Sequence, residues 1–221
     1  LPGEEDGVKK WERLFREILH GFHSRGERFF TQSQLCASCS ISAGAASRMI
    51  NWLEQIGAVE HRPQGFRVID PGKILLSWAV KRNLMESVVY SARVPSLAEA
   101  ENLLGGKVLF TAHCGYKLAF GEDPGYDRLF AYGRPEEVRE ILKVTEGGPN
   151  FLLLEWDEHL ARLSEGGRIP LVQLYVDLWQ LGATKLLERV ELELERERLA
   201  ALEKLMAPPS PPQVPGQQPA E

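Results

Sequence analysis

A mixed α/β protein in two parts is what this sequence predicts, on three observations. Apolar residues recur at three-and-four spacing in some stretches and as short runs bounded by Gly and Pro in others, so helices and strands alternate along the chain. Charge is unevenly divided: residues 8–90 hold twelve Lys/Arg against seven Asp/Glu, although the whole chain carries −5. The closing stretch "APPSPPQVPGQQPAE" has almost no apolar bulk and the composition of a disordered tail. The expected division is therefore 1–86, 87–206 and 207–221. With 221 residues and 43% hydrophobic content, both folded parts have enough apolar material for a core.

The elements follow in order. "VKKWERLFREILHGF" puts Val8, Trp11, Phe15, Ile18, Leu19 and Phe22 on one helical face and predicts charge on the other. Thr31 and Ser33 are N-cap types before a short helix around Gln34–Ser38, and Ser40 or Ser42 can cap the next. In that longer helix Ala46, Met49, Ile50, Leu53 and Ile56 share a face, and Gly57 stands where a left-handed C-cap is wanted. "AVEHR" and "GFRVI", hinged by Pro63-Gln64-Gly65, read as a hairpin. "DPGKILLSWAVKRN" restarts a helix. Beyond Ser87, "SVVYSARV", "DRLFAYG" and "NFLLLEWD" read as strands. "SLAEAENLLGG", "TAHCGYKLAFG", "RPEEVREILKV", "IPLVQLYVDLWQLG" and the long charged "ATKLLERVELELERERLAALEKLM" read as helices.

A short helix, a turn, a longer helix and a hairpin are the order of a winged helix-turn-helix. With Met49, Ile50 and Leu53 turned inward, the outer face of the longer helix carries Gly44, Ser47, Arg48, Asn51 and Gln55. Small residues let a backbone approach a groove, Arg pairs with guanine, and Asn or Gln pairs with adenine. Arg62, Gln64 and Arg67 on the hairpin would reach phosphates or the minor groove. The candidate DNA-contacting set is thus Ser42, Gly44, Ser47, Arg48, Asn51, Gln55, Arg62, Gln64 and Arg67, and the expected partner is a double-stranded DNA operator. One basic residue on the reading helix is modest, which predicts a homodimer or a second DNA-contacting surface. Two alternatives stay open: the winged helix as a protein-interaction module, and a divergent nucleotidyltransferase tethered to DNA.

The enzyme alternative rests on "LLLEWDE". On a strand, Glu155 and Asp157 share a face and could hold Mg²⁺, but no Gly-Ser turn precedes them to hold a triphosphate. Cys36 and Cys39 form a C-x-x-C, which indicates zinc only where a second ligand pair follows; none does, and packing in the core explains them better. His20 and His23 fall at the exposed or capping end of the first helix. No catalytic residues, metal ligands or cofactor are therefore assigned. Leu192, Leu199, Leu202 and Met206 hint at two heptads on the last helix, enough for a subunit contact. No apolar run approaches a membrane span and three cysteines make no disulfide framework, which points to a cytoplasmic protein.

"SRMINWLEQIGAVEHRPQGFRV" resembles the winged helix that opens AbiE-type antitoxins of type IV toxin-antitoxin systems. The second half is similar to the domain that follows in that family, through "SLAEAENLLGGKVLFTAHCGYKLAFG", "RLFAYG", "RPEEVREIL", "FLLLEWD" and "IPLVQLYVDLWQLGATKLLERV". The sharpest match is Pro170–Leu181 with Asp177, and the likeness covers about residues 30–195. The resemblance implies a transcription repressor that binds operator repeats beside its own genes. It also implies a mixed α/β C-terminal domain of degenerate nucleotidyltransferase-like fold that opposes a toxin directly or indirectly, without catalysis.

Overall fold

A computed structural model describes residues 8–206. The proline-rich stretch 207–221 lies outside the described residues. The protein is mixed α/β, with ten α-helices and two sheets among those residues. Helix α1 (Val8–Ser24) buries Trp11, Phe15, Ile18, Leu19 and Phe22 as its spacing predicts. A two-residue strand β1 (Phe29–Phe30), absent from the sequence reading, leads into α2 (Gln32–Cys39). Thr31 and Gln34 cap α2 reciprocally, each side chain meeting the other's backbone amide. Helix α3 (Ala43–Gln55) starts at Ser42, whose hydroxyl accepts from the Ala45 amide. Gly57 takes the expected left-handed conformation at φ 69.

Strands β2 (Val59–Arg62) and β3 (Gly65–Val68) form the hairpin, and β1 adds to it in the order β1-β3-β2, all antiparallel. Gly65 is required there, because a Cβ would stand 2.3 Å from the Phe30 carbonyl oxygen. Backbone cannot yield as a side-chain tip does, so Gly65→Ala is expected to cost about 2 kcal/mol. A urea midpoint unchanged from that of the parent protein would contradict this.

Helix α4 (Pro71–Lys81), capped by Asp70, closes the first part. A 3-10 turn at Met85–Ser87 leads into β4 (Val88–Ala92), α5 (Leu97–Leu104), β5 (Leu109–Thr111) and α6 (Ala112–Phe120). There follow β6 (Leu129–Gly133), α7 (Pro135–Arg139), β7 (Phe151–Glu155), α8 (Glu158–Leu163), α9 (Leu171–Gln180) and α10 (Thr184–Met206). The second sheet has the order β4-β7-β6-β5, with β6 and β7 parallel and the other pairs antiparallel. Its central strands are covered on both faces. Phe151 and Leu153 meet α5 and α7, while Leu152 and Leu154 face a core that includes α9. That is why "FLLL" is uninterrupted apolar sequence. This second core is continuous with the first: α1, α3 and α4 share one hydrophobic cluster with α9 and α10.

The sequence expects charge on an exposed face of α1, and the structure overturns this. Glu12, Arg16 and Glu17 are buried because the second half packs over them. Burial of charge demands partners. Arg82 donates to Asp177 (2.8 Å), to Tyr132 (2.7 Å) and to Glu12. Asp177 also accepts from Thr111, Tyr132 and Gln173, and Arg16 donates to Gln173 and Asp157. His23 is likewise buried, against the Leu194 carbonyl, and not at an exposed end.

The same packing sets an acid limit. Burial holds His159 below its ordinary 6.5, as it does His20, His23 and His113. Burial alone would raise Glu17, but the His159 hydrogen bond and the Arg25 guanidinium outweigh it and hold that carboxyl at about 2. A histidine depressed in the folded state binds its proton more readily when unfolded, so stability is complete above pH 6.5 and falls as pH drops below it. Glu17 adds a second loss between pH 4.5 and 2. The thermal midpoint followed by circular dichroism should therefore fall from pH 7.5 to 5.5 and more steeply below 4.5. A flat profile over that range would refute the assignment.

Candidate nucleic-acid interface

The position of α3 is fixed from behind. Ala45, Ala46, Met49, Ile50 and Leu53 are buried, and Trp52 stacks on Phe15 of α1 with ring centroids 6.0 Å apart. Between α2 and α3, Ser40 adopts the left-handed conformation (φ 53) and Ile41 plugs the core. What remains outside is Ser42, Gly44, Arg48, Asn51 and Gln55, all exposed, with Ser47 half-buried. Arg48 makes no ion pair among the described residues, so its guanidinium is available.

Not all of the sequence-derived set converges. Ser47 and Asn51 line a cleft of about 220 Å³ between α3 and the hairpin, together with Arg62 and Gln64. Gln32, Ile50, His61, Gly65 and Phe66 complete it. Ser42, Gly44, Arg48 and Gln55 lie on α3 outside this cleft. Arg67 alternates with the buried Phe66 and Val68 and sits across from Glu60, so it faces the far side of the hairpin sheet. Gln32 and His61 escaped sequence reasoning, because neither lies on the face of α3 that helical projection examines. His61 reaches α3 through its Nδ1, 2.7 Å from the Glu54 carboxylate, and Arg62 pairs with Glu60 (2.7 Å).

Gln64 occupies the tip with φ 73, a conformation that costs a non-glycine residue roughly 1 kcal/mol. Strain of this kind at a cleft rim is a pointer to function. Its neighbour Pro63 sets the preceding residue of the turn, as the "RPQG" stretch leads one to expect.

The chemistry weighed against this interface fares less well in space. Strand β7 ends at Glu155, so the expectation that Glu155 and Asp157 share a strand face is corrected. Asp157 caps α8 by accepting from the His159 and Leu160 amides, and its other contacts are Arg16 (2.9 Å) and Arg13 (3.6 Å). A carboxylate so occupied does not pair with Glu155 around a cation.

Cys39 does approach two other ligand types, Glu17 and His159, within 4.8 Å. However, Arg16 donates to His159 Nδ1 at 3.0 Å. An arginine only donates, so this contact fixes the tautomer that carries its proton on Nε2, and that proton points at Glu17 at 3.0 Å. Nε2 is thereby closed to a metal, and burial pushes the Cys39 thiol up to about 11. The trio is a hydrogen-bonded joint between α1, α2 and α8. Arg162 of α8 adds a contact to the Ser38 carbonyl at the end of α2.

Against models of protein families, curated proteins and solved structures, the chain has no match. No helix among the described residues is long and apolar enough to cross a membrane.

Proposed function

We propose that the protein is a sequence-specific DNA-binding transcription regulator acting as a repressor, with residues 1–86 forming a winged helix-turn-helix. The observation that carries this reading is the element order α1-β1-α2-α3-β2-β3, with a β1-β3-β2 sheet beside a helix whose outer face is polar and carries an arginine, Arg48, with no ion pair among the described residues. Support also comes from residue type. Arg48 and Gln55 stand ready to meet base edges and Gly44 leaves the α3 backbone approachable, while Arg67 is placed to meet phosphate on the hairpin's outer side. The second half is read as a regulatory domain. On the AbiE-type resemblance it opposes a toxin, directly or indirectly, and its fold is a degenerate nucleotidyltransferase-like one. The contacts that occupy Asp157 favour regulation over nucleotidyl transfer.

The test is a fluorescence-anisotropy titration of the full chain on its own upstream DNA and on a scrambled duplex, at 50 and 200 mM salt. The reading requires a preference for the upstream sequence that persists at the higher salt. Equal binding to both duplexes, erased by salt, would overturn it.

A further inference from the structure

The cleft between α3 and the hairpin has a lining unlike that of a phosphate clamp. Arg62 is the one Lys or Arg among its walls, and it is already paired with Glu60. Three carboxamides, Gln32, Asn51 and Gln64, are among its lining residues. The Gln32 amide gives one of its two hydrogens to the Ala43 carbonyl at 2.7 Å, which leaves that side chain its carbonyl oxygen, an acceptor, and a second N–H. An acceptor repels phosphate oxygens and attracts an N–H. The floor, Ile50 and Phe66, is apolar and offers a flat group a surface for its face. A volume of about 220 Å³ equals roughly seven waters at ~30 Å³ each, room for a heterocycle but small for a drug-sized ligand.

We propose that this cleft binds a single nucleobase, held by its hydrogen-bonding edge between the Gln32, Asn51 and Gln64 amides with its face on Ile50 and Phe66. A base meets all the requirements together: a flat apolar face, ring acceptors for the Asn51 and Gln64 amide hydrogens, and an exocyclic amino group for the Gln32 oxygen. Asn51 then serves the cleft and not the groove, while Arg48 and Gln55 remain on the open face of α3. The strained Gln64 is explained as well, because glycine at φ 73 would relax the turn and lose one wall of the site. The base has two sources, a nucleotide extruded from bound duplex or a free mononucleotide acting as an effector. The inference deepens the DNA-binding reading in the first case and is independent of it in the second.

Two measurements on the full-length protein separate these. The first follows 2-aminopurine emission as the protein is added to upstream duplexes carrying the probe at successive positions, with anisotropy recorded on the same samples. The second is equilibrium dialysis against each of the four nucleoside monophosphates. A several-fold emission rise at one position assigns the cleft to an extruded base. Saturable uptake of a monophosphate assigns it to a free nucleotide. In either case Gln64→Gly, a substitution that relieves backbone strain, should weaken the signal at least tenfold with no loss of thermal stability, and Asn51→Leu should do the same. Duplex binding with flat 2-aminopurine emission and no monophosphate uptake overturns the nucleobase site and leaves the operator reading intact. Monophosphate uptake without duplex binding keeps the cleft and sinks the operator reading. Signals unchanged in both variants place the ligand elsewhere and overturn the proposal.

Discussion

Asp177→Ala is expected to destabilise the protein by about 3–5 kcal/mol, the usual cost of breaking a buried ion pair from one side. Asp177 is 0% exposed, and Arg82, Thr111, Tyr132 and Gln173 all donate to it. Alanine would leave the Arg82 guanidinium, itself buried, with Glu12 as its remaining carboxylate and would orphan the Thr111 hydroxyl. Burial raises the Glu12 carboxyl, and Arg82 only partly offsets that rise, so Glu12 is a poor substitute for the lost charge. Against a total stability of about 5–15 kcal/mol for a domain, the loss is about a fifth or more. Urea unfolding should show the midpoint falling with the slope unchanged. Asp177→Asn retains one acceptor oxygen and should lie between the parent and alanine. Arg82→Met added to Asp177→Leu should not recover the loss, because Glu12 would then lie buried without its arginine; Glu12→Leu must join the pair before the desolvated charges go together. A fully stable Asp177→Ala protein would mean that the network adds nothing. The contacts of Asp177 are those of a structural pin joining β5, β6, α9 and the end of α4.

What the sequence revealed and what it hid divide along a physical line. Local signals were readable: Thr31 and Ser42 as N-caps, Gly57 at its left-handed position, and the inward face of α3 all follow from neighbours within one or two turns. The buried charges of α1 were not. Arg16 meets Gln173 and Asp157, which are 157 and 141 residues away, and in sequence such a residue has the spacing of a solvated one. Asp157 was misplaced for a related reason. "FLLLEWDE" gives no turn residue to stop a strand before Asp157, whereas the chain leaves the sheet at Glu155 and Asp157 turns to cap α8. The cleft was half legible. Projection of α3 supplied Ser47 and Asn51, but Gln32 and His61 enter from α2 and β2, and their convergence depends on hairpin register.

Arg48→Ala should weaken binding to the upstream duplex by about 10- to 100-fold and leave binding to scrambled DNA nearly unchanged. A bidentate arginine–guanine contact contributes about 1–3 kcal/mol of discrimination, whereas a phosphate contact would be lost equally from both duplexes. The free protein should not register the change, since Arg48 is exposed and makes no ion pair among the described residues; thermal stability should hold within about 0.5 kcal/mol. Gly44→Ala separates folding from binding in the opposite sense. A Cβ there would meet only the Arg48 guanidinium, at 3.7 Å, so the helix should gain up to about 1 kcal/mol from the better propensity of alanine. The same methyl stands on the face that must approach the groove, so this more stable protein should bind its operator less tightly. Titration of the two variants on both duplexes, beside their thermal midpoints, decides the matter. If Arg48→Ala lowers affinity for both duplexes alike, arginine touches backbone. If Gly44→Ala binds as well as the parent, α3 does not enter a groove by this face, and the polar side chains along it are simply solvated.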